Sequence, residues 1–245
     1  MSSKSLKTGA FAQSIYKQSA IQMEELDTVR ILADGRMFAY AKAGAADLVA
    51  GNVLTSVAPD SNASNEALSA TQSAAIGATQ VTVTFGGAVI ADAYKDGYIW
   101  ANDATGEGHL YRVKGHAAGT TDVVVYLKDP IRVAWVASTT EFSAIVNRQN
   151  GVIIAAATIA AHLAGVTPIV VTALYYFWNQ VKGPAAVLTK GTLVVGNPCT
   201  VITTAGSVGP LADATLTPVV GVVMSNLGAG GDTEYALINL DIPGY

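Results

Sequence analysis

The chain has 245 residues, with 14 Lys and Arg against 18 Asp and Glu, 51% hydrophobic residues and only 13% charged ones. Soluble domains carry roughly a quarter of their residues as charges, so about half of the usual charge is missing while the apolar content is full. That balance excludes a disordered chain, and a net charge of -4 excludes a strongly basic nucleic-acid binder. A charge-poor surface points to a chain that other protein covers, and hence to a component of an assembly.

One or two domains are expected at this length, with enough chain to bury a sizeable core. The single cysteine, Cys199, excludes an internal disulfide framework and a multi-thiolate zinc site, so stability comes from packing or association. Met1 to Phe11 contains Lys4 and Lys7 and no apolar stretch of the kind that makes a signal peptide, so synthesis and folding in a cytoplasm is expected.

Met1 to Val29 is polar and mixed, without a clean period, and Ser14 to Leu26 suits either a short helix or an extended arm. Arg30 to Tyr40 and Gly44 to Ser56 suggest strands, with Asp34-Gly35 as a hairpin turn. Pro59 to Thr71 is small, polar and linker-like. Gln80 to Phe85 then alternates with the period of a half-buried strand. Tyr94 to Trp100, Gly108 to Lys114, Asp122 to Leu127 and Arg132 to Val136 follow as short strands between turn residues, the spacing of a sandwich or barrel.

No formal charge occurs between Arg148 and Lys182. The stretch is long enough to cross a bilayer of ~30 Å as a helix. Gly165 and Pro168 interrupt it, however, and its β-branched and aromatic clusters (Val152 to Ile154, Ile169 to Val171, Leu174 to Trp178) are the texture of buried strands. Ala155 to Ala164 is expected to be a turn or short helix between them. Val181 to Leu188, Thr192 to Val195, Thr200 to Thr204, Val219 to Ser225 and Tyr235 to Leu240 complete the strand set. Leu48-Val-Ala-Gly-Asn52 is echoed by Leu193-Val-Val-Gly-Asn197, which places the two segments in related hairpins.

The expected fold is therefore mainly β, one or more small barrel or sandwich domains with a polar N-terminal arm. Residues 1–30 form the arm, 31–71 together with 141–245 one barrel-like domain, and 72–140 a β-rich domain inserted into it.

Few residues carry a chemical signature. His109, His116 and His162 lack a metal-binding spacing, no Gly-x-Ser-x-Gly elbow supplies a nucleophile, and Glu107 and His109 flank Gly108 without forming a catalytic pair. The glycines lack the Gly-Lys-Ser/Thr ending of a phosphate loop, and the acidic residues lack the spacing of a calcium loop. No catalytic residue, cofactor or metal is assigned. The densest feature left is Tyr175, Tyr176, Phe177 and Trp178, read as core or, more sharply, as the anchor of a protein interface.

Tyr176-Phe-Trp-Asn-Gln-Val-Lys-Gly-Pro184, then Gly191-Thr-Leu-Val-Val-Gly-Asn-Pro198, then Ala205-Gly-Ser-Val-Gly-Pro210 and Val220-Gly-Val-Val223 resemble the capsid cement, or decoration, proteins of tailed bacteriophages. Asp96-Gly-Tyr-Ile-Trp-Ala-Asn-Asp103 with Gly106-Glu-Gly-His109 looks like segments of virion structural proteins. The resemblance covers about the last 75 residues well and the middle loosely. It implies a non-enzymatic protein on the capsid exterior that bridges major capsid proteins, commonly as a homotrimer, with 31–71 and 141–245 as the capsid-binding domain and no nucleic-acid or membrane partner. The competing reading is another virion component, a tail, fibre or head-spike subunit with receptor or carbohydrate binding; the long repeat or coiled coil of a fibre is not seen.

Overall fold

The computed structural model describes residues 11–64, 68–211, 218–225 and 234–245. Among these residues every regular element is a strand, and no helix is long and apolar enough to cross a membrane. The chain forms two compact units: Pro59–Asn147, and the residues up to Ala58 together with Arg148–Tyr245.

The Pro59–Asn147 unit is a closed six-stranded barrel. Its strands are β4 (Leu68–Ala70), β5 (Gln80–Thr84), β6 (Tyr98–Asp103), β7 (Leu110–His116), β8 (Val123–Leu127) and β9 (Glu141–Ile145), joined in the order β4-β5-β8-β7-β6-β9. β4 and β9 close the ring by pairing Leu68 with Phe142 and Ser69 with Glu141. The expected boundaries at 71/72 and 140/141 therefore need correction, because they cut off both closing strands; the short β4 hides in a polar stretch read as linker. Arg132 to Val136 is not a strand either. Only Trp135 pairs, through a single bridge to Ala74.

The barrel interior is filled by alternating apolar side chains, as small barrels require. Trp135, Tyr111 and Phe142 are buried at its centre, with Trp135 edge-on to Phe142 at 4.6 Å and to Tyr111 at 5.3 Å. His116 is structural. Its Nε2 accepts the Tyr94 main-chain N–H at 3.1 Å, and its Nδ1 lies 2.8 Å from the Ala117 carbonyl.

The second unit is built from β1 (Val29–Ile31), β2 (Met37–Ala43), β3 (Val53–Thr55), β10 (Asn150–Ile154), β11 (Leu163–Val166), β12 (Tyr176–Leu188), β13 (Pro198–Val201), β14 (Val208–Pro210), β15 (Val219–Val223) and β16 (Tyr235–Asp241). They join in the order β1-β2-β10-β3-β11-β12-β16-β15-β13-β14, and an extra β2–β12 pairing closes β2-β10-β3-β11-β12 into a ring. β12, at 13 residues, is the longest strand. Its first half pairs with β2 and its second half with β16. The far end of the sheet then curls back, through a bridge from Val208 to Thr189 just after β12.

The Leu48 and Leu193 echo corresponds to one local structure. Asn52 N–H donates to Val49 O at 3.2 Å and Asn197 N–H to Val194 O at 3.1 Å. Gly51 and Gly196 take the third turn position at φ of 77° and 86°, the left-handed geometry that a type II turn needs. Each turn launches a strand, β3 and β13. Thr192 to Val195 is thus the approach to a turn, not a strand. Ala155 to Ala164 contains no helix; it is irregular up to the start of β11.

Leu174 to Trp178 and Val181 to Leu188, expected as separate strands, run together, with the side-chain amide N–H groups of the polar pair between them bonded within the fold. Asn179 Nδ2 donates to Ala164 O at 2.9 Å and to Gln149 Oε1 at 3.1 Å, and Gln180 Nε2 donates to Pro184 O at 2.8 Å. A buried polar residue with such partners is tolerated in a core strand.

Phe142 is fully buried against Trp135, so Phe142→Ala is expected to destabilise the barrel by about 3–5 kcal/mol. Urea unfolding followed by tryptophan fluorescence measures this; a loss below about 1 kcal/mol would contradict the packing described.

Candidate association surface

Successive residues of a strand point to opposite faces, and β12 divides the aromatic quartet accordingly. Phe177 is fully buried inside the ring with Leu48, Leu54, Val152 and Val171. Trp178, also fully buried, lies on the other face with Ile15, Leu26, Phe38 and Tyr40. Tyr175 and Tyr176 are half-buried. The four residues do not form one exposed patch.

Trp178 is covered by the N-terminal segment. Phe11 meets it edge-on at 5.2 Å, the Trp178 indole N–H donates to Gln13 O at 3.1 Å, and Tyr40 Oη donates to Gln13 Oε1 at 3.0 Å. The Arg30 guanidinium lies 4.5 Å over the Phe11 ring and its Nη1 also donates to Gln13 O. A bridge from Ser19 to Tyr176 extends this seat. The part of the expected 1–30 arm that is described, residues 11–30, therefore packs on its own unit; residues 1–10 lie outside the described residues. Their polar look concealed the apolar positions Phe11, Ile15 and Leu26.

Further along the same face of β12 the cover ends. Lys182, Pro184, Ala186 and Leu188 point outward, and β16 sets Asp241, Asn239, Leu237 and Tyr235 beside them in that order. β15 adds Val222, level with Asn239, and Met224 follows it with its N–H on Leu237 O. Leu237 and Val222 are each 40% exposed, Met224 46% and Tyr235 47%. The row is apolar except for Asn239 and the Lys182–Asp241 ion pair at its end, 3.1 Å apart.

A cavity of about 490 Å³ opens at this row, where β12 leaves the ring, and is lined by Tyr16, Arg36, Gly51, Thr167, Ala186 and Leu237, among others. Its floor is low because β12 offers Pro184 and Ala186 there. Leu188 N–H points away from β16 to Gly51 O at 2.9 Å, so by strand alternation the nitrogen of Pro184 also points away and costs the ladder no bond. Gly51 must lack a side chain: a Cβ would lie 2.5 Å from the Tyr235 ring. Hydrogen bonds to the Tyr16 hydroxyl and the Asp34 side chain hold Arg36 protonated above its ordinary range. The Arg36 main-chain N–H, then its guanidinium, keeps the Asp34 carboxyl below the usual value.

The residues of this row are absent from the candidate anchors drawn from sequence, although a signal exists. Tyr235 to Leu240 is apolar at every position but Asn239, hence on both faces, which is the mark of a strand covered on both sides.

Among the described residues no group of three or more His, Cys, Asp or Glu side chains is placed to hold a metal ion. Cys199 is buried, and desolvation pushes its thiol up to about 12. The chain matches no known family model, no curated protein and no solved structure.

Two outcomes follow from these contacts. Phe11→Ala removes the edge-on partner of Trp178 and is expected to destabilise this unit by about 0.5–1.5 kcal/mol and to red-shift the tryptophan emission; an unchanged spectrum and urea midpoint would contradict the covering role. The Cys199 thiol ionises near 9.0 when unfolded but only at about 12 when folded. The folded state keeps a proton that the unfolded state loses, so stability falls as pH rises through that interval. The urea midpoint of the native chain should therefore drop more steeply there than that of Cys199→Ala.

Proposed function

We propose that the chain is a non-enzymatic virion structural protein, a cement subunit that binds the outer surface of a tailed-phage capsid and stabilises the shell by bridging major capsid proteins. The observation that carries this reading is the bare apolar row of β12, β16 and β15. Exposed apolar surface contiguous over three strands marks a protein contact, and interface cores are depleted in charge.

Composition supports it independently. Residues 183–240 contain Lys190, Asp213, Asp232 and Glu234 as their only charged side chains, a density too low for a free surface of ordinary polarity. This is also the part of the chain that resembles cement proteins. Strands, the sole regular elements among the described residues, suit a protein that acts by holding neighbours in place, since strain on the shell is then borne by backbone ladders.

The test is sedimentation of the purified chain with isolated heads of the cognate phage, followed by electron microscopy of the particles. Saturable cosedimentation and added density on the head exterior are expected. A chain that stays in the supernatant at every ratio, or density on the tail alone, would overturn the reading.

A further inference from the structure

We propose that the outward face of β12 and β16 is the contact between two copies of this chain, related by a two-fold axis that runs parallel to the two strands and between them. The inference rests on reading this face as an association surface and names its partner.

The face is self-complementary. Four outward cross-strand pairs line the face: Lys182 beside Asp241, Pro184 beside Asn239, Ala186 beside Leu237 and Leu188 beside Tyr235. A two-fold axis between the strands exchanges the two rows, so each β12 residue meets the β16 residue with which it is already level. Lys182 then opposes Asp241 of the partner subunit, and Asp241 opposes Lys182 of the partner subunit: plus faces minus twice. Ala186 opposes Leu237 of the partner subunit, and Pro184 opposes Asn239 of the partner subunit. At the two middle pairs the smaller side chains, Pro184 and Ala186, lie on β12 and the larger, Asn239 and Leu237, on β16, so bulk meets hollow on both halves.

The cavity supplies the hollow. It opens over Pro184 and Ala186, with Gly51 and Thr167 behind them and Leu237 on its own rim. The axis carries Leu237 of the partner subunit over Ala186, to the mouth of this cavity, while the equivalent Leu237 enters the cavity opposite. Tyr235 stays in the wall, held over Gly51.

Other pairings of the same face lack this match. An axis across the strands sets the ionic end of each copy against the apolar end of the other, which buries the Lys182–Asp241 ion pair with no charge of the other copy facing it. An isologous contact also closes at two copies, so it replaces the trimer that the resemblance implies as the unit in solution.

The experiment is the solution mass of the full chain by light scattering at micromolar concentrations, with three sets of variants. The native chain is expected at twice 25.1 kDa. Leu237→Glu should be a monomer with unchanged circular dichroism. Lys182→Glu and Asp241→Lys should each raise the dissociation constant about tenfold or more, since like charges then face each other, and the double variant should restore it. These two positions are solvent-exposed, so the charge series decides the matter even if Leu237→Glu fails to fold. A native monomer, a trimer, or a double variant no better than the single ones would overturn the proposal. A monomer that still cosediments with heads overturns this contact and leaves the cement reading standing; a dimer that ignores heads does the reverse.

Discussion

One strand, β12, belongs to two neighbouring sets of strands, and the rest of its unit depends on that. Tyr176 to Lys182 hydrogen-bonds to β2 and closes the ring, while Lys182 to Leu188 hydrogen-bonds to β16 and carries the remainder of the sheet. The handover occurs at an irregularity between Gln180 and Lys182 and at Gly183, whose φ of 85° only glycine adopts without strain. A bulge of this kind lets a strand change partners without ending.

The same geometry decides which surface is covered. One face of β12 holds Phe177, Val181, Ala185 and Val187 in the interior along the whole strand. The opposite face is treated in two ways. Residues 11–28 seal it over Tyr176 and Trp178, and beyond Gln180 nothing in the described chain seals it over Pro184 and Ala186. The exposed row and the cavity thus begin where the N-terminal cover stops. Association with another subunit would complete in trans what the N-terminal segment begins in cis.

Much of the fold was legible because strand periodicity and turn chemistry are local. The alternation in Gln80 to Phe85, the Asp34-Gly35 hairpin and the Gly-Asn turns at 51 and 196 each carry their structure in a few residues. What was not legible depends on distant partners. Asn179 and Gln180 look like a break until the Ala164 and Pro184 carbonyls that accept from their amide nitrogens are known. β4 looks like linker until β9 arrives to pair with it. Trp178 looks like an exposed anchor until Phe11 and Gln13, some 165 positions away, fold back over it. The association surface was partly written in the sequence, in the two-faced apolarity of Tyr235 to Leu240, but separating it from core requires knowing which face is already occupied.

On the proposed reading, protein covers the outward face of β12, β16 and β15 in the working state. Two methionines allow a direct internal comparison: Met224, on this face, is 46% exposed in the isolated chain, and Met23, in the N-terminal segment, is 47% exposed. Hydroxyl-radical footprinting of the native assembled protein reads both in one sample. Met224 is expected to be oxidised far more slowly than Met23; equal rates at the two residues would contradict a covered face.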